Sequence, residues 1–274
     1  MTEYSIELNN GVKMPILGLG VYLTLDKTEM ETAIQAALEA GYRSFDTAQM
    51  YHNEALLGEV LEETGFPREE LFLTSKVDIE NMGYEATLKS FEETLQRLRT
   101  DYLDLFLVHW PGQKKERLLD TWRSMEKLYK DGKVRAIGVC NCRPKHLEWI
   151  MDECEIVPVL NQVERNPRLN DKDLFDWCRE RGIWLEAWRP LNKGNFDSPE
   201  IQSLAKKYNR TSAQIILRWD IQSDYIVIPK SVNPVRIFEN ANIFDFELEE
   251  QDMAIIDGMH TGRHSSHDPD TFDF

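Results

Sequence analysis

The chain has 274 residues, of which 42% are hydrophobic and 10% aromatic, so it can bury a sizeable core. Lysine and arginine total 32 against 48 aspartate and glutamate residues, which gives a formal net charge of −16. That acidic balance argues against a nucleic-acid partner and against an anionic membrane surface, because both would repel the protein. A ligand that carries phosphate must therefore be held by a local cluster of basic side chains.

The cysteines and the N-terminal segment indicate the cellular compartment. Cys140, Cys142, Cys154 and Cys178 are not spaced like a disulfide framework, so we expect reduced thiols. The opening MTEYSIELNNGVKMP has neither the basic start nor the apolar run of a signal peptide, and no apolar stretch is long enough to span a bilayer. We therefore expect a soluble, cytoplasmic protein.

Short apolar runs typical of strands alternate with amphipathic segments typical of helices. The strand-like runs cover residues 16–23, 42–48, 71–77, 102–110, 134–141, 157–164, 183–188 and 225–231. The helix-like segments cover residues 27–40, 54–64, 84–98, 118–132, 144–154, 171–182, 198–209 with 211–222, and 235–244. Nearly continuous apolar strands in strict alternation with helices predict a parallel sheet buried on both faces. Eight such units favour an α/β fold of the (β/α)8 TIM barrel type over an open sheet.

Three segments fall outside the eight units. SIELNNGVKMP, with Asn10 and Gly11 at its turn, predicts a β-hairpin before the first barrel strand. Residues 248–259 predict an extra helix near the C-terminus, and TGRHSSHDPDTFDF predicts an irregular acidic tail. Because no linker or low-complexity segment interrupts the pattern, we expect residues 1–274 to form one domain.

Polar and aromatic side chains recur where the predicted strands end. They are Asp46, Lys76, His109, Asn141, Gln162, Trp188 and Lys230. Taken singly, each has an ordinary explanation, such as a helix cap for Asp46 or a buried core histidine for His109. Functional groups of a TIM barrel gather at the C-terminal ends of its strands, however, so their joint placement predicts one site at one mouth of the barrel.

Six separated motifs give a resemblance to a known family. GYRSFDTAQMYHNE, LFLTSK, DYLDLFLVHWP, IGVCN, NQVE and IPKS followed by RIFEN resemble, in this order and through almost the whole chain, the aldo-keto reductase superfamily. The short loops and the ending TGRHSSHDPDTFDF resemble the bacterial branch that includes 2,5-diketo-D-gluconate reductases. The resemblance implies NADPH-dependent reduction of aldehydes and ketones to alcohols.

By this resemblance, Asp46, Tyr51, Lys76 and His109 form a catalytic tetrad, and the chemistry of these side chains agrees. Reduction of a carbonyl needs a proton for the oxygen, and a phenol with a pKa of about 10 is a poor acid at neutral pH. We expect Lys76 to lower the pKa of Tyr51 and Asp46 to hold Lys76 charged. His109 would hydrogen-bond the substrate oxygen and stabilise the charge that develops there.

The cofactor prediction depends on the last strand-helix unit, because no strand is followed by the GxGxxG motif of a Rossmann site. The resemblance places Lys230, Ser231, Asn233 and Arg236 around an adenosine 2′-phosphate, and Glu239 and Asn240 near the adenine. Lys230 and Arg236 supply the local basic cluster that an acidic chain needs for a phosphate dianion, so we expect NADP(H) rather than NAD. No metal is expected, since His264 and His267 of the tail lack further ligands nearby.

The resemblance also assigns the nicotinamide end of the cofactor. Asn141 and Gln162 match the ligands of the carboxamide, which needs both a donor and an acceptor, and Trp188 stands where an aromatic ring stacks on the nicotinamide. Cys140 replaces the usual serine beside the asparagine, and a thiol forms weaker hydrogen bonds.

Two further departures from the family pattern lie beside these motifs. Arg165 and Asn166 replace the usual Tyr-His pair, which we interpret as variation at the outer rim of the barrel. Arg189 follows the stacking aromatic where a small residue is common. It could reach the cofactor pyrophosphate, attract an acidic substrate or pair with the acidic tail.

The substrate pocket is predicted to have aromatic walls. By resemblance, Val21, Tyr22, Trp110 and the tail form them, which suits small-molecule aldehydes and ketones bound by shape. Residues 111–117 make only a short connection to the next helix, so we expect an open site with loose specificity. Such a site fits polyhydroxy ketones, α-keto esters, methylglyoxal and aromatic aldehydes.

The family resemblance also favours a monomer.

Two other functions remain open from the sequence. A redox-sensing or structural relative that binds NADPH but turns over slowly would keep the cofactor residues, although the intact tetrad argues against it. A barrel lyase would use Lys76 as a Schiff-base nucleophile, but it leaves the RIFEN segment without a role.

Overall fold

The computed structural model describes residues 4–194, 196 and 198–274. Strands β1 (Ser5–Glu7) and β2 (Lys13–Pro15) form an antiparallel hairpin in which Ile6 pairs with Met14. The hairpin closes the N-terminal end of the barrel, since Asn10 Nδ2 donates to the Arg135 carbonyl at 3.0 Å and Trp184 Nε1 donates to the Glu7 carbonyl at 3.0 Å. The predicted hairpin is confirmed.

Eight parallel strands form the barrel. They are β3 (Gly18–Gly20), β4 (Ser44–Asp46), β5 (Phe72–Val77), β6 (Leu103–Val108), β7 (Val134–Cys140), β8 (Leu160–Glu164), β9 (Trp184–Trp188) and β10 (Tyr225–Val227). Each strand pairs with the next one along the chain, from β3 to β10. Two parallel bridges, Leu17 with Val227 and Gly20 with Lys230, join the first strand to the last. The predicted (β/α)8 TIM barrel is therefore confirmed.

Helices surround the barrel. Those in the described residues are α1 (Lys27–Glu39), α2 (Glu54–Glu63), α3 (Tyr84–Leu98), α4 (Lys115–Lys130), α5 (Pro144–Glu153), α6 (Lys172–Arg179), α7 (Pro199–Tyr208), α8 (Ser212–Gln222), α9 (Pro234–Ala241) and α10 (Glu250–Asp257). None of these helices combines the length and the apolar character needed to cross a bilayer. The predicted extra helix near the C-terminus corresponds to α10.

The predicted boundaries differ from the structure at several elements. Helix α4 begins at Lys115 rather than at residue 118, because its first turn is polar and gives no apolar periodicity. Strands β3 and β10 have only three residues each, although the apolar runs around them are longer. One of the apolar residues beyond β10 is Ile228, which is buried and lines the cavity described below.

Two layers of apolar side chains hold the fold. One lies between the strands and the helices and includes Phe45, Phe106, Trp122 and Ile137. The other fills the barrel interior, where Phe72, Leu105, Leu107 and Ile226 pack against Leu8 and Met14 of the hairpin segment. The filled lower interior leaves the C-terminal ends of the strands as the open mouth of the barrel, where ligands of this architecture bind.

Candidate active site

One cavity of about 1090 Å³ lies at the C-terminal mouth of the barrel. It collects most of the site residues predicted from the sequence: Tyr22, Asp46, Tyr51, His109, Trp110, Asn141, Gln162, Trp188, Arg189, Lys230, Ser231, Asn233, Arg236, Glu239 and Asn240. Three predicted residues do not line it. Lys76 and Cys140 are fully buried beneath it, and Val21 belongs to the core between the strands and the helices. The predicted role of Val21 as a wall of the substrate pocket therefore does not match its position.

Lys76 and Asp46 form an ion pair on the neighbouring strands β5 and β4. Lys76 Nζ lies 2.6 Å from Asp46 Oδ1 and also donates to the Thr47 carbonyl at 2.9 Å. The Lys76 side chain is completely buried, and that of Asp46 is 4% exposed. Burying two charges is favourable only when each is paired and hydrogen-bonded, and both conditions hold here.

A single 3₁₀ turn, Gln49–Tyr51, positions Tyr51 after β4. Its start is anchored by Gln49 Nε2, which donates to Thr94 Oγ1 of α3 at 3.1 Å. Its end is held by Asn53, which accepts from Thr47 Oγ1 at 2.7 Å and donates to the Val21 carbonyl at 2.8 Å. These contacts fix the short segment between β4 and α2, so the Tyr51 ring has a defined place over the buried ion pair.

The Tyr51 ring is surrounded by three functional neighbours. Lys76 Nζ lies 5.0 Å from its centroid, and the His109 ring stands edge-on to it at 5.6 Å between centroids. Tyr22 lies 4.8 Å away on the outer side, where it is 42% exposed. The structure thus brings the four tetrad residues of the resemblance together.

Burial and charge set the protonation states of these groups. Burial raises the pKa of Tyr51 to about 12, and the Lys76 ammonium opposes that rise. Burial acts to lower the pKa of Lys76, but Asp46 and Tyr51 act in the opposite direction and hold it above its ordinary value. Burial and the Lys76 ammonium keep the pKa of His109 well below its ordinary value. At neutral pH the site therefore holds a phenol, an ammonium and a neutral imidazole.

These protonation states bear on two expectations. Lys76 lowers the pKa of Tyr51 as expected, but burial raises that pKa by more, so it lies above its ordinary value in the protein. A Schiff-base lyase would need Lys76 as a neutral amine. The buried ion pair with Asp46 favours the ammonium instead.

Gln162 and Glu186 extend the site towards the barrel interior. Gln162 Nε2 donates to Asp46 Oδ2 at 2.9 Å and to Glu186 Oε2 at 2.6 Å. Burial raises the pKa of Glu186 to about 8, and the Asp46 carboxylate adds to that rise. Glu186 was not predicted from the sequence, although a lone acid in the apolar run IWLEAW was a signal that could have found it.

Asn141 links the catalytic side of the cavity to Trp188. Trp188 Nε1 donates to Asn141 Oδ1 at 2.9 Å, and Asn141 Nδ2 donates to the His109 carbonyl at 3.1 Å. Asn141 has a positive φ of 58°, a conformation that asparagine tolerates better than most residues. Next to it, Cys140 Sγ lies 3.9 Å from Gln162 Oε1 and makes only a weak contact.

Basic side chains occupy the far end of the cavity, at the start of α9. Asn233 caps this helix by accepting from the Arg236 backbone at 3.2 Å, and Ser231 Oγ accepts from the Asn233 backbone at 3.1 Å. In the described part of the chain, neither Lys230 nor Arg236 lies within ion-pair distance of a carboxylate. Two exposed cations beside a helix N-terminus suit a phosphate group.

Arg189 contacts the C-terminal tail. Its Nη1 donates to Ser265 Oγ at 3.1 Å and lies 3.3 Å from the Ser265 carbonyl. Ser265 in turn donates from its backbone to Glu164 Oε1 at 3.0 Å, while His264 Nδ1 lies 3.5 Å from Glu164 Oε2. Of the three partners considered for Arg189, the structure shows the tail, reached through a serine rather than through an acidic residue.

The tail also forms part of the cavity wall over Trp110. The rings of Phe272 and Trp110 lie 4.8 Å apart, and His267 stacks on Phe272 at 4.2 Å between centroids. Aromatic residues therefore enclose the predicted substrate side. The two histidines of the tail have different neighbours, since His264 lies beside Glu164 and His267 stacks on Phe272.

Arg165 corrects one sequence interpretation. We expected variation at the outer rim, but Arg165 is only 2% exposed and lies between the rings of Trp219 and Tyr225, at 3.9 and 3.7 Å from their centroids. Its Nε donates to Asp220 Oδ1 of α8 at 2.7 Å. Asn166 is buried as well and pairs with Leu169 through the backbone. Arg165 and Asn166 are therefore buried inside the fold, with Arg165 packed against α8, rather than exposed at the outer rim.

Comparisons with known proteins agree with this geometry. The sequence model described as the aldo/keto reductase family matches residues 17–260. A glyoxal reductase of Bacillus subtilis (strain 168) is 50% identical over 267 residues, covering 97% of this chain and 96% of that protein. The methylglyoxal reductase DkgA of Escherichia coli O157:H7 is 43% identical over 272 residues, covering 97% of each.

Solved structures are similarly close. The crystal structure of a mutant of Gox0644 in complex with NADPH superposes with a TM-score of 0.93 at 40% identity and covers 98% of both chains. MGS-M4, an aldo-keto reductase from a Medee basin deep-sea metagenome library, gives a TM-score of 0.95 at 40% identity and covers 98% of this chain and 100% of that one. The resemblance inferred from the motifs is confirmed. The chain belongs to the aldo/keto reductase family and is an NADP-dependent oxidoreductase that reduces small-molecule carbonyl compounds.

Proposed function

We propose that Tyr51 is the proton donor of this reductase and that Lys76, Asp46 and His109 prepare it for that role. The observation that carries the proposal is the buried ion pair of Lys76 and Asp46 beneath Tyr51, with a neutral imidazole beside the same ring. All the polar groups needed to protonate a carbonyl oxygen thus meet at one edge of one cavity.

Each side chain has a distinct task in the proposed mechanism. Bound NADPH supplies the hydride that adds to the carbonyl carbon. His109, neutral because it is buried next to Lys76, donates an imidazole N–H to the substrate oxygen and orients it. Tyr51 gives its proton to the oxygen as negative charge develops there, and the Lys76 ammonium stabilises the phenolate that remains.

Asp46 contributes through Lys76 rather than through the substrate. Its carboxylate keeps the pKa of Lys76 above the ordinary value, so the ammonium persists inside the protein. A fixed positive charge in a poorly solvated site stabilises a nearby anion more strongly than it would in water. This arrangement opposes, without cancelling, the effect of burial on the pKa of Tyr51.

The cofactor is proposed to lie along the cavity from Trp188 to α9. Trp188 would stack on the nicotinamide, with Asn141 and Gln162 on its carboxamide and Cys140 as a weak neighbour. Lys230, Ser231, Asn233 and Arg236 would hold the 2′-phosphate, with Glu239 and Asn240 near the adenine. The two cations without carboxylate partners in the described residues, together with the N-terminus of α9, support this placement. Arg189 lies between the two ends, next to Trp188, where it would contact the cofactor as well as the tail.

The substrate class proposed is small reactive carbonyl compounds, including α-dicarbonyls such as glyoxal and methylglyoxal. Two relatives that the chain covers almost completely carry those names. Tyr22, Trp110 and Phe272 form an aromatic enclosure beside Tyr51, which suits binding by shape. The compact connection before α4 leaves this side open to larger aldehydes and ketones.

The wider setting is also a proposal. The four cysteines are free thiols, which supports a cytoplasmic location, and the family resemblance supports a monomer. The charge of −16 argues against nucleic acid as a partner. We propose that residues 1–274 act as one domain.

The test of the catalytic proposal is Tyr51→Phe, which keeps the ring and removes the proton donor. Turnover with methylglyoxal should fall by about 10²–10⁴-fold, the usual contribution of a general acid. NADPH affinity, measured by quenching of tryptophan fluorescence, should stay close to wild type. The matched control is Tyr129→Phe on α4, outside the cavity, which should change neither quantity. Equal losses of turnover and affinity in Tyr51→Phe would show that Tyr51 is not the proton donor.

A further inference from the structure

Three neighbouring side chains, Cys140, Gln162 and Glu186, lie inside the barrel at the base of the cavity, and Gln162 is the one that lines it. Cys140 pairs with Gln162 across β7 and β8, and Gln162 pairs with Glu186 across β8 and β9. All three are almost completely buried, with Glu186 only 1% exposed. Glu186 touches neither the cavity nor the tetrad lysine through any hydrogen bond in the described residues, so the catalytic mechanism gives it no task.

Glu186 and Asp46 share the amide of Gln162. A glutamine amide has two N–H hydrogens, and Gln162 Nε2 directs one to Asp46 Oδ2 at 2.9 Å and the other to Glu186 Oε2 at 2.6 Å. Both donors of the amide are therefore engaged by carboxyl groups. The amide plane is fixed at two points, one on β4 and one on β9.

The two acids also determine which way the amide faces. If the amide were reversed, its oxygen would lie against the Asp46 carboxylate, whose other oxygen is already held by Lys76. Two acceptors in contact would repel each other, so the reversed orientation is disfavoured. Gln162 Oε1 is left with the weak contact to Cys140 Sγ at 3.9 Å. It remains an available acceptor at the base of the cavity.

We propose that Glu186 is a positioning residue that, by accepting the second hydrogen of the Gln162 amide, presents Gln162 Oε1 to the carboxamide N–H of the cofactor. The inference rests on the proposed contact between Gln162 and the nicotinamide carboxamide. Asp46 alone would hold one hydrogen and leave the amide free to twist about that bond. Glu186 removes this freedom before the cofactor arrives, which lowers the cost of ordering the site on binding.

The test compares two ligands that differ in the nicotinamide. NADPH and adenosine 2′,5′-bisphosphate, which lacks the nicotinamide half, are titrated by calorimetry into wild type, Glu186→Leu and Glu186→Gln. In Glu186→Leu, the Kd for NADPH should rise by about tenfold, the size of one lost hydrogen bond, while the Kd for the bisphosphate stays unchanged. Glu186→Gln should bind NADPH within about twofold of wild type, because its amide oxygen can accept the same hydrogen.

A second background separates positioning from general damage. In Gln162→Leu, the additional change Glu186→Leu should cause no further loss of NADPH affinity, since the group being positioned is gone. The inference is overturned if Glu186→Leu binds NADPH like wild type, if it weakens both ligands equally, or if the two substitutions are additive. Should Glu186→Leu fail to fold, Glu186→Met has no strong acceptor either and carries the same expectations.

These outcomes are distinct from failure of the proposed function. If Glu186→Leu binds NADPH like wild type while turnover still depends on Tyr51, only the positioning role of Glu186 is rejected. A Gln162→Leu variant that binds NADPH like wild type would reject the cofactor contact on which the inference depends.

Discussion

Asp46→Asn gives a direct measure of the energy held in the buried ion pair. The substitution keeps the size and one oxygen of the side chain but removes the negative charge that faces Lys76 at 2.6 Å. The Lys76 side chain is 0% exposed, so its ammonium would be left without a counter-ion and without water. Breaking a buried pair in this way typically costs about 3–5 kcal/mol. We expect a loss of about 3 kcal/mol, at the lower end of that range, because the hydrogen bond from Lys76 to the Thr47 carbonyl remains.

The measurement is urea unfolding followed by tryptophan fluorescence, applied as a double-mutant cycle. Lys76→Met in the Asp46→Asn background removes the orphaned charge, so most of the lost free energy of unfolding should return. Asp131→Asn provides a matched control, since Lys127 and Asp131 pair at 2.8 Å but are 49% and 47% exposed. That variant should unfold like wild type, because exposed pairs contribute little.

Two results would refute the reasoning about the pair. One is an Asp46→Asn variant as stable as wild type, which would mean that water or another acid reaches Lys76. The other is a double variant whose loss equals the sum of the single losses, which would mean that the two side chains do not interact. Either result would also weaken the case for a fixed ammonium beside Tyr51.

Three further predictions concern the cofactor and two buried acids. Arg236→Ala should raise the Kd for NADPH by at least about tenfold and leave the Kd for NADH nearly unchanged, because only NADPH carries the 2′-phosphate. Equal losses of affinity for the two cofactors in fluorescence titrations would show that Arg236 does not bind the 2′-phosphate. Arg165→Met should lower the free energy of unfolding more at about pH 8 than at about pH 5.5. Burial already raises the pKa of Asp220 to about 7 although Arg165 acts to lower it, and without Arg165 the buried acid has no counter-ion when it ionises as pH rises. Equal losses of unfolding free energy at both pH values would contradict this prediction. Glu186→Gln should flatten the pH dependence of the free energy of unfolding between about pH 4.5 and 8. In the wild type, burial raises the pKa of Glu186 to about 8, so the free energy of unfolding falls as pH rises through that window. The fall is at most about 1.4 kcal/mol per pH unit. Parallel pH profiles of wild type and Glu186→Gln in urea unfolding would show that Glu186 does not titrate there.

The features predicted correctly from the sequence are those with local signals. Asn10 and Gly11 sit at a turn between two short polar-apolar runs, and the hairpin follows from that alone. Asp46 and Lys76 lie where apolar strands end, and a closed parallel barrel must bring such positions together. The neighbouring strands β4 and β5 then place the two side chains in contact.

The features that sequence reasoning missed depend on partners far apart in the chain. Arg165 reads as a surface residue until Asp220, 55 positions later, is found beside it with two aromatic rings. Glu186 reads as an exception within a strand until Gln162 is seen to share its amide with Asp46. Val21 follows a short strand of the kind that lines a barrel mouth, but it is buried in the apolar layer between the strands and the helices. In each case the partners are set by packing between elements that are distant in the sequence, and for Glu186 the only local sign is a lone acid in an apolar run.

The seam between β3 and β10 has a consequence for how the protein is made. It is held by two bridges, Leu17 with Val227 and Gly20 with Lys230, whose partners come from opposite ends of the chain. The ribosome must therefore synthesise most of the polypeptide, at least as far as residue 230, before the barrel can close. Gly20 and Lys230 also line the same cavity, so the cavity spans this junction of the first and last strands. A ligand that binds only the closed barrel therefore stabilises this junction by mass action.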